Sequence, residues 1–275
     1  MIDYTKINSK AWDTRAENGC CYAVPISHEV YENAKNGIWE VILTPVKPVP
    51  KGWFLPFTKN NRLDGVKVLG LASGGGQQMP VLSAVGADCT VLDYSDKQLE
   101  SERFVAEREG YAINIVKADM TKPFPFEDGS FDVIFHPVSN VYIEDVYHVL
   151  NECFRVLKSG GILLAGLDNA FHFIVEDVTV RPMVISGKLP YNPLKLPEEQ
   201  LKQVAESNDG MQFSHTLEEQ IGGQLKAGFL LTDVYEDFDN DPDAIADGIP
   251  SYWVSRAVKP FDGADGMISI RRIEP

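Results

Sequence analysis

Three consecutive glycines directly after an apolar stretch constrain this chain more than any other feature of its sequence. Residues 66–71 have the composition of a buried strand, and residues 74–76 are all glycine. Glycine has no Cβ atom, so the backbone can turn sharply there and lie directly against a ligand. A strand that runs into such a loop predicts a nucleotide-like ligand at its carboxyl end.

A second apolar strand, over residues 87–93, ends in an acid, Asp93, about 17 residues after Gly76. In a doubly wound α/β sheet, an acid at this point lies beside the first glycine loop and accepts hydrogen bonds from both ribose hydroxyls. The pair of strands therefore favours a nucleoside without a 2′-phosphate.

Other glycine-loop ligands fit the spacing less well. Gly70 and Gly75 have the separation of a phosphate-binding Walker loop, but Gly76 and Gln77 stand where that loop needs Lys and Ser or Thr. The glycines also miss the register of the dinucleotide fingerprint G-x-G-x-x-G. An NAD-dependent oxidoreductase is therefore kept only as the second-ranked, alternative function. A hydrolase nucleophile elbow would need glycine where Leu71 stands.

Residues 68–76, Val-Leu-Gly-Leu-Ala-Ser-Gly-Gly-Gly, resemble the first motif of class I S-adenosylmethionine (SAM)-dependent methyltransferases, commonly written V-L-D-L-G-C-G-T-G. Four further stretches are similar to later motifs, in the same order: residues 91–95 to the ribose-binding motif, 117–120 to the adenine-binding motif, 131–135 to the fourth strand and 155–161 to the turn into the fifth. The resemblance, to a type 11-like subgroup, covers residues 64–168 well and 213–258 more weakly. The family usually has an acid in place of Gly70 and a glycine in place of Ala72.

Alternating strands and helices predict an α/β fold, a Rossmann-like, doubly wound, seven-stranded mixed sheet that is mostly parallel with an antiparallel last strand. The predicted strands are 66–71, 88–93, 112–117, 131–136, 161–166, 229–236 and 251–258. The expected organisation is an N-terminal cap segment (1–57), a methyltransferase domain (58–258) with an inserted lid (about 169–213), and a C-terminal tail (259–275).

Two helices have clear signals. Ser95 and Gln98 have the spacing of a capping box, which predicts a helix directly after Asp93. Apolar residues recur at helical spacing over 144–158, where Gly160 is expected to end the helix.

Three other segments leave alternatives open. Residues 1–57 are rich in aromatics and prolines, and either cap the site or only pack on the sheet; Asn8 or Asp13 is expected to cap a short helix. Residues 169–213 interrupt the alternation, which is typical of a lid that contacts substrate. The acidic stretch 237–247 either binds a cation or is a solvated loop.

The resemblance implies SAM as the cofactor and a set of residues that would hold it. Asp93 would bind the ribose hydroxyls and Asp119 the adenine amino group, while the glycine loop would contact the methionine half. The implied cofactor-binding residues are Ala72, Ser73, Gly74, Gly76, Gln77, Asp93, Tyr94, Ser95, Gln98, Asp119, Met120, His136, Pro137 and Val138.

The end of the fourth strand supplies the catalytic candidates His136, Asn140 and Tyr142. Residues 136–139 match only half of the Asp/Asn-Pro-Pro-aromatic motif of amino-methylating relatives. An imidazole can take a proton at neutral pH, so His136 is either a general base or a residue that shapes the pocket. Methyl transfer needs alignment more than functional groups, so the acceptor atom (O, N or S) stays open.

Charge and composition narrow the partners. The 275 residues carry 40 acids against 25 bases, a net charge of −15, which argues against a nucleic-acid substrate and favours a small molecule; the basic pair Arg271 and Arg272 is expected to be a solvated tail. No apolar run approaches the ~20 residues of a membrane span and no signal peptide is evident, so we expect a cytoplasmic enzyme. The four cysteines lack metal-site spacing, and we expect no metal. A non-catalytic nucleoside-binding protein is a further alternative, and the oligomeric state is open.

Overall fold

The computed structural model describes residues 2–177, 180, 182–240 and 248–261. Its strands are β1 (Lys67–Leu71), β2 (Asp88–Asp93), β3 (Asn114–Lys117), β4 (Phe131–His136), β5 (Leu157–Asp168), β6 (Leu230–Asp237) and β7 (Tyr252–Val258). They form one sheet in the order β3-β2-β1-β4-β5-β7-β6. β1 to β5 pair in parallel, and β7 is antiparallel to both β5 and β6. The predicted α/β class, with seven strands and an antiparallel last strand, is confirmed.

The helices are α1 (Tyr4–Glu17), α2 (His28–Lys35), α3 (Gln78–Ala84), α4 (Asp96–Glu109), α5 (Val146–Val156), α6 (Glu198–Glu206) and α7 (Gly223–Lys226). A π-helical turn, Glu218–Gly222, leads into α7. Short 3-10 turns lie at Cys21–Ala23, Lys51–Phe54, Asn140–Tyr142, Phe171–Phe173 and Pro193–Lys195. None of the helices in the described ranges has the length and apolar content needed to cross a bilayer.

Successive side chains of a strand point to opposite faces of the sheet, and both faces are covered by other elements, so the sheet is buried on both sides. In β4, Val133 and Phe135 join a core with the aromatic N-terminal segment and α3, whereas Ile134 joins a second core with α5. Strand order reverses between β1 and β4, which opens a crevice at their carboxyl ends.

The helix predicted over 144–158 is shorter than expected. α5 ends at Val156, because Leu157 already pairs with Phe131 as the first residue of β5. Lys158 lies in β5 and forms an ion pair with Asp132 of β4 (Nζ to Oδ1, 2.8 Å). The prediction that Gly160 ends this helix was wrong, since Gly160 lies within β5.

The capping box predicted at the start of α4 forms only in part. The Ser95 hydroxyl accepts a hydrogen bond from the Gln98 amide at 3.2 Å, as predicted. The Gln98 side chain does not reach back, because the Ser95 amide donates to Asp93 Oδ1 at 3.0 Å. Asp13 adds a second cap: its Oδ1 accepts from Ser95 Oγ (2.6 Å) and from the Lys97 amide (3.0 Å).

Asp13 lies inside α1, so it caps a helix distant in sequence rather than its own, contrary to our prediction. Asn8 also caps no helix. Its side-chain nitrogen donates to the carbonyls of Tyr142 (2.9 Å) and Met211 (3.0 Å), and its oxygen accepts from the Met211 amide. Asn8 therefore ties α1 to the carboxyl edge of the sheet; α1 itself is capped by Asp3.

The N-terminal segment also packs on the far side of the sheet. Arg256 of β7 is 2% exposed, and its guanidinium donates to the carbonyls of Trp53 and Leu55, each at 2.8 Å. Residues 241–247 of the acidic connection and residues 262–275, including Arg271 and Arg272, lie outside the described residues. The predicted domain limits stay predictions.

Candidate functional site

A cavity of about 650 Å³ lies at the carboxyl ends of the parallel strands, where strand order reverses. Its walls come from the ends of β1 to β5, from α1 and from residues 42–45. The predicted cofactor residues that line it are Ala72, Ser73, Gly74, Gln77, Asp93, Tyr94, Ser95, Gln98, Asp119, Met120, Pro137 and Val138. Gly76, His136 and Asn140 are not among the lining residues, while Tyr142 is.

Asp93 stands at the end of β2 with its carboxylate against the glycine loop. Oδ2 accepts from the Gly74 amide and Oδ1 from the Ser95 amide, both at 3.0 Å. Burial raises the pKa of Asp93, and these amide donors oppose the rise. A carboxylate has about four acceptor positions, so Asp93 can still accept hydrogen bonds from two hydroxyls in the cavity.

Asp119 follows β3 on the same edge. Its Oδ1 accepts from the amide and the hydroxyl of Thr121, at 2.9 and 2.8 Å. Both bonds use one oxygen, so Oδ2 can accept from an amino group in the cavity. Met120 beside it offers an apolar contact for a ring.

The glycine loop is shaped by helix α4 rather than by space for a ligand. The amides of Gly74, Gly75 and Gly76 donate to Asp93 Oδ2, to the Gln98 carbonyl (3.0 Å) and to Glu102 Oε1 (2.8 Å) respectively. These amides are thus used by β2 and α4. Residues 72–74 line the cavity, whereas Gly75 and Gly76 do not, so only the first part of the loop can contact a ligand there.

The same packing explains why side chains are absent from the loop. A Cβ atom at Gly75 would lie 2.6 Å from Gln98 Oε1, and one at Gly76 would lie 2.9 Å from the Ser101 carbonyl oxygen. Both glycines also have positive φ angles, +101° and +70°. Close approach to α4, together with left-handed backbone, therefore requires glycine here.

The two departures from the family motif have structural consequences. A Cβ atom at Gly70 would lie 2.7 Å from Met79 Sδ, so the acid usual at this position would require the Met79 side chain to move. Ala72, where glycine is usual, has a φ of +47°, a left-handed conformation that costs a residue with a Cβ about 1–2 kcal/mol.

His136 lies behind the cavity wall, with no exposed surface. Its Nδ1 is 3.0 Å from the Leu71 carbonyl oxygen and its Nε2 is 2.8 Å from the Asn140 side chain. Burial lowers the pKa of His136, which favours the neutral ring. With both nitrogens engaged inside the protein, His136 is placed to brace β1 against β4 rather than to meet an acceptor.

The tautomer of His136 also fixes its partner. A carbonyl can only accept, so Nδ1 carries the proton and Nε2 needs a donor. The Asn140 side-chain nitrogen has no partner among the described residues. The structure places Asn140 Oδ1 at 2.8 Å from Nε2, and turning this amide by 180° lets the side-chain nitrogen donate to Nε2. Either way the buried Asn140 side chain contacts the ring of His136, which gives Asn140 the same bracing role.

Tyr142 does face the cavity, in a wall built with α1. Its hydroxyl accepts from Arg15 Nη1 at 2.7 Å, and its ring packs edge-on against Trp12 with centroids 5.7 Å apart. The Arg15 guanidinium lies 5.0 Å from the centre of the Trp12 ring. Burial raises the pKa of Tyr142, against the opposing effect of Arg15, so the phenol stays protonated at neutral pH.

The structure adds a pair that we did not predict, Asp168 and His172. Asp168 ends β5 and is 7% exposed; His172 Nδ1 lies 3.5 Å from its Oδ2, and both residues line the cavity. Between them, Ala170 has a φ of +62° and donates its amide to Asp168 Oδ1, which turns the chain back toward the acid. Burial raises the pKa of Asp168, and His172 opposes this. A histidine four residues after an acid at a strand end was the available sequence signal.

The predicted lid contributes little else to the cavity. Within the described part of residues 169–213, His172 and Gln212 are the lining residues. The far wall is completed by Asp239, whose Oδ2 lies 3.0 Å from the Tyr252 hydroxyl. Among the described residues, four aspartates line the cavity, and Arg15 is the single lysine or arginine that lines it.

A possible metal-ligand group lies away from the cavity. Among the described residues, His28, Glu32 and Glu109 place ligand atoms within 4.8 Å of one another. His28 Nδ1 lies 2.8 Å from Glu109 Oε2, and Arg108 also contacts Glu109. These contacts are those of a surface ion-pair network. The adjacent thiols of Cys20 and Cys21 are free and are not part of this group.

Comparison with known proteins gives consistent results. A family model described as a methyltransferase domain matches residues 69–165. The chain is 48% identical over 233 residues to the uncharacterized methyltransferase YbaJ of Bacillus subtilis (strain 168), covering 84% of this chain and 89% of that protein. It is 27% identical over 193 residues to the sterol 24-C-methyltransferase ERG6A of Gibberella zeae, covering 69% of this chain and 45% of that protein.

Among solved structures, an S-adenosylmethionine-dependent methyltransferase from Mesorhizobium loti aligns with a TM-score of 0.57 at 18% identity. The alignment covers 71% of this chain and 91% of that one. At this level of identity the likeness concerns the fold.

Proposed function

Because this chain belongs to the class I SAM-dependent methyltransferases, we propose that it transfers the methyl group of SAM to a small molecule bound in the cavity at the carboxyl edge of the sheet. One observation carries this proposal: a single cavity reaches both the Asp93–Asp119 end and the Asp168–His172 end. Its volume, about 650 Å³, lies within the usual range of ligand pockets. A cofactor and an acceptor can therefore meet without crossing solvent.

The cofactor end has donors and acceptors that suit SAM. Asp93 keeps acceptor positions for the ribose hydroxyls, Asp119 Oδ2 can accept from the adenine amino group, and Met120 and Val138 provide apolar walls. These assignments extend the family relationship to individual residues and are part of the proposal.

At the acceptor end we propose His172 as the general base. SAM, when bound, supplies an electrophilic methyl group, so a hydroxyl, thiol or ammonium acceptor must lose a proton for its heteroatom to form the new bond. His172 is the histidine whose ring lines the cavity, and the Asp168 carboxylate beside it would stabilise the imidazolium. The sequence indicates that His136 is either a general base or a residue that shapes the pocket, and His136 lies behind the cavity wall.

The chemistry of the lining supports a small acceptor that is not a polyanion. Four aspartates face the cavity, and Arg15 is already engaged by Tyr142 and Asp209. A phosphate backbone would meet repulsion here, since binding one requires free lysines and arginines. The aromatic rings of Trp12 and Tyr142 favour a partly apolar acceptor.

Asp93→Ala tests the cofactor end. Losing two hydrogen bonds to a charged group, each worth about 1.5–3 kcal/mol, should weaken SAM binding about 100-fold or more. Titration calorimetry with SAM measures this directly. Asp88→Ala is the matched control, because Asp88 begins the same strand at the opposite, exposed end. Equal SAM affinity in the Asp93 variant and the wild type would contradict the assignment.

Labelled SAM and a metabolite library would then identify the acceptor by label transfer. The comparisons give no support to an NAD-dependent oxidoreductase. Thermal shifts with NAD and SAM separate the two: stabilisation by NAD alone would favour the oxidoreductase.

We also propose that the enzyme works in the cytoplasm. The four cysteines are all free thiols, and two of them, Cys89 and Cys153, are fully buried. Chains exported to oxidising compartments more often pair their cysteines. Fractionation of the source cells, followed by detection of the chain, checks this.

A further inference from the structure

Glu102 is an ionisable residue with no exposed surface, and it lies on the face of α4 beneath the glycine loop. Its Oε1 accepts the Gly76 amide at 2.8 Å, while its Oε2 has no hydrogen-bond partner among the described residues. Burying a carboxyl group with one hydrogen bond is costly. An alanine or leucine at this position would avoid the cost of burying a carboxyl group. Packing alone therefore does not account for Glu102.

The groups that face Glu102 do not neutralise it. Asp93 at the end of β2, Cys89 within β2 and Tyr111 after α4 are the titratable neighbours, and none carries a positive charge. Burial, with a smaller contribution from Asp93, raises the pKa of Glu102 to about 8, and the Gly76 amide opposes the rise. Glu102 is therefore mostly protonated at neutral pH, and its chief polar contact is the loop.

The strand that precedes the loop, β1, contains no acid. In related methyltransferases an acid usually stands where this chain has Gly70. Here Met79 fills that space, since its Sδ lies 2.7 Å from where a Cβ of residue 70 would be. The carboxyl group under the loop comes instead from α4, on the opposite side.

We propose that Glu102 is a positioning residue for SAM binding. Its carboxyl group holds the Gly76 amide while Asp93 holds the Gly74 amide, so the two acids fix one end of the glycine loop against α4 and the other against β2 before SAM arrives. The inference rests on the proposed assignment of this loop to the SAM site. A loop fixed in advance loses less conformational freedom on binding, which strengthens affinity.

Three variants separate reach, hydrogen bonding and charge. Glu102→Gln keeps an acceptor oxygen at the same reach, and its SAM affinity should stay within about threefold of the wild type. Glu102→Met keeps the length but leaves the Gly76 amide unpaired, and its affinity should fall about 10- to 100-fold. Glu102→Asp keeps the carboxyl group but withdraws it from Gly76, so it should weaken binding similarly.

Leu99→Ala is the matched control, because Leu99 is also fully buried on α4 but is apolar. It should lower the melting temperature with little change in SAM affinity. Two readouts are needed: the Kd for SAM by calorimetry, and hydrogen exchange of the Gly76 amide without SAM. Exchange at Gly76 should accelerate in the Met and Asp variants and stay slow in Gln.

Wild-type affinity in folded Glu102→Met or Glu102→Asp would overturn the proposal. So would a loss of affinity in Leu99→Ala as large as in those variants, since that would reduce Glu102 to general stability. If the Met variant does not fold, the Asp and Gln variants decide. Failure of the wild type to bind SAM at all would instead refute the proposed function of the site.

Discussion

The two ends of the cavity are built in different ways. The proposed cofactor end takes its residues from strand ends: Ala72 directly follows β1, Asp93 is the last residue of β2, and Asp119 lies two residues after β3. The acceptor end gathers Arg15 and Trp12 from α1, Asp168 and His172 from the end of β5, and Asp239 and Tyr252 from the β6–β7 pair. One end is thus encoded locally and the other by long-range packing.

The contrast indicates where acceptor specificity can change without loss of the fold. The carboxyl ends of parallel strands must meet at one edge, so a residue at the end of such a strand reaches the cavity by topology alone. The acceptor end depends on contacts such as those of Asn8 with Tyr142 and Met211, which hold α1 over the site. A new N-terminal segment would remake the α1 wall of the acceptor end, but it would also remove Asp13, which caps α4 beside the cofactor end.

The largest effect is expected from His172→Ala, which tests whether the two ends act separately. Loss of a general base should lower kcat about 100-fold or more, because base catalysis typically contributes 10²–10⁴-fold. The Kd for SAM should not change, since His172 belongs to the acceptor end. Initial rates with labelled SAM and the acceptor identified by screening, alongside calorimetry, measure both quantities.

His28→Ala is the control for His172→Ala, because His28 is exposed and lies outside the cavity lining. Added imidazole should restore part of the activity of the His172 variant. An unchanged kcat would remove His172 from the mechanism, and a parallel loss of SAM affinity would show that the ends are not separate.

A smaller effect tests the buried acid of the cofactor end. An acid whose pKa is higher in the folded chain binds more protons there than when unfolded, so Glu102 makes the free energy of unfolding fall as pH rises from about 4.5 to about 8. One proton corresponds to at most about 1.4 kcal/mol per pH unit. The free energy of unfolding of Glu102→Gln, measured by urea unfolding at pH 5, 6, 7 and 8, should therefore fall less steeply with pH than that of the wild type.

Glu100→Gln is the matched comparison for that series, since Glu100 is exposed on the same helix. It should keep the wild-type dependence on pH. Superimposable curves for the wild type and the Glu102 variant would show that Glu102 ionises as freely as an exposed acid.

The smallest effect is expected from Ala72→Gly. Glycine relieves the left-handed strain, worth about 1–2 kcal/mol, but loses up to about 1 kcal/mol through the greater freedom of the unfolded chain. A net gain of about 0.5 kcal/mol is expected, measured as a small rise in melting temperature. Ala87→Gly, at a buried position that does not have a positive φ, should lower it. A lower melting temperature in the Ala72 variant would mean that its methyl group stabilises the loop.

Much of the fold was predictable because its signals are local. Apolar stretches bounded by turn residues located all seven strands, and Ser95 marked the start of α4. The limit between α5 and β5 was missed because Val156 and Leu157 are apolar in either structure, and only the pairing of Leu157 with Phe131 settles it.

For the site, the sequence placed Asp93 and Asp119 at strand ends, and both line the cavity. It did not distinguish His136 from His172. His136 ends a strand and His172 follows one. The ring of His136 is buried and hydrogen-bonds to Leu71 and Asn140. His172 follows the left-handed turn at Ala170 and is exposed.

Local sequence signals were enough to give the order of strands, loops and terminal acids, because apolar periodicity and turn residues act within a few positions. The contacts of the glycine loop with Gln98 and Glu102, the cap that Asp13 provides for α4 and the wall that α1 adds to the cavity become visible in the folded chain. These contacts join segments distant in the chain, and their free energy depends on which surfaces meet when the cores close.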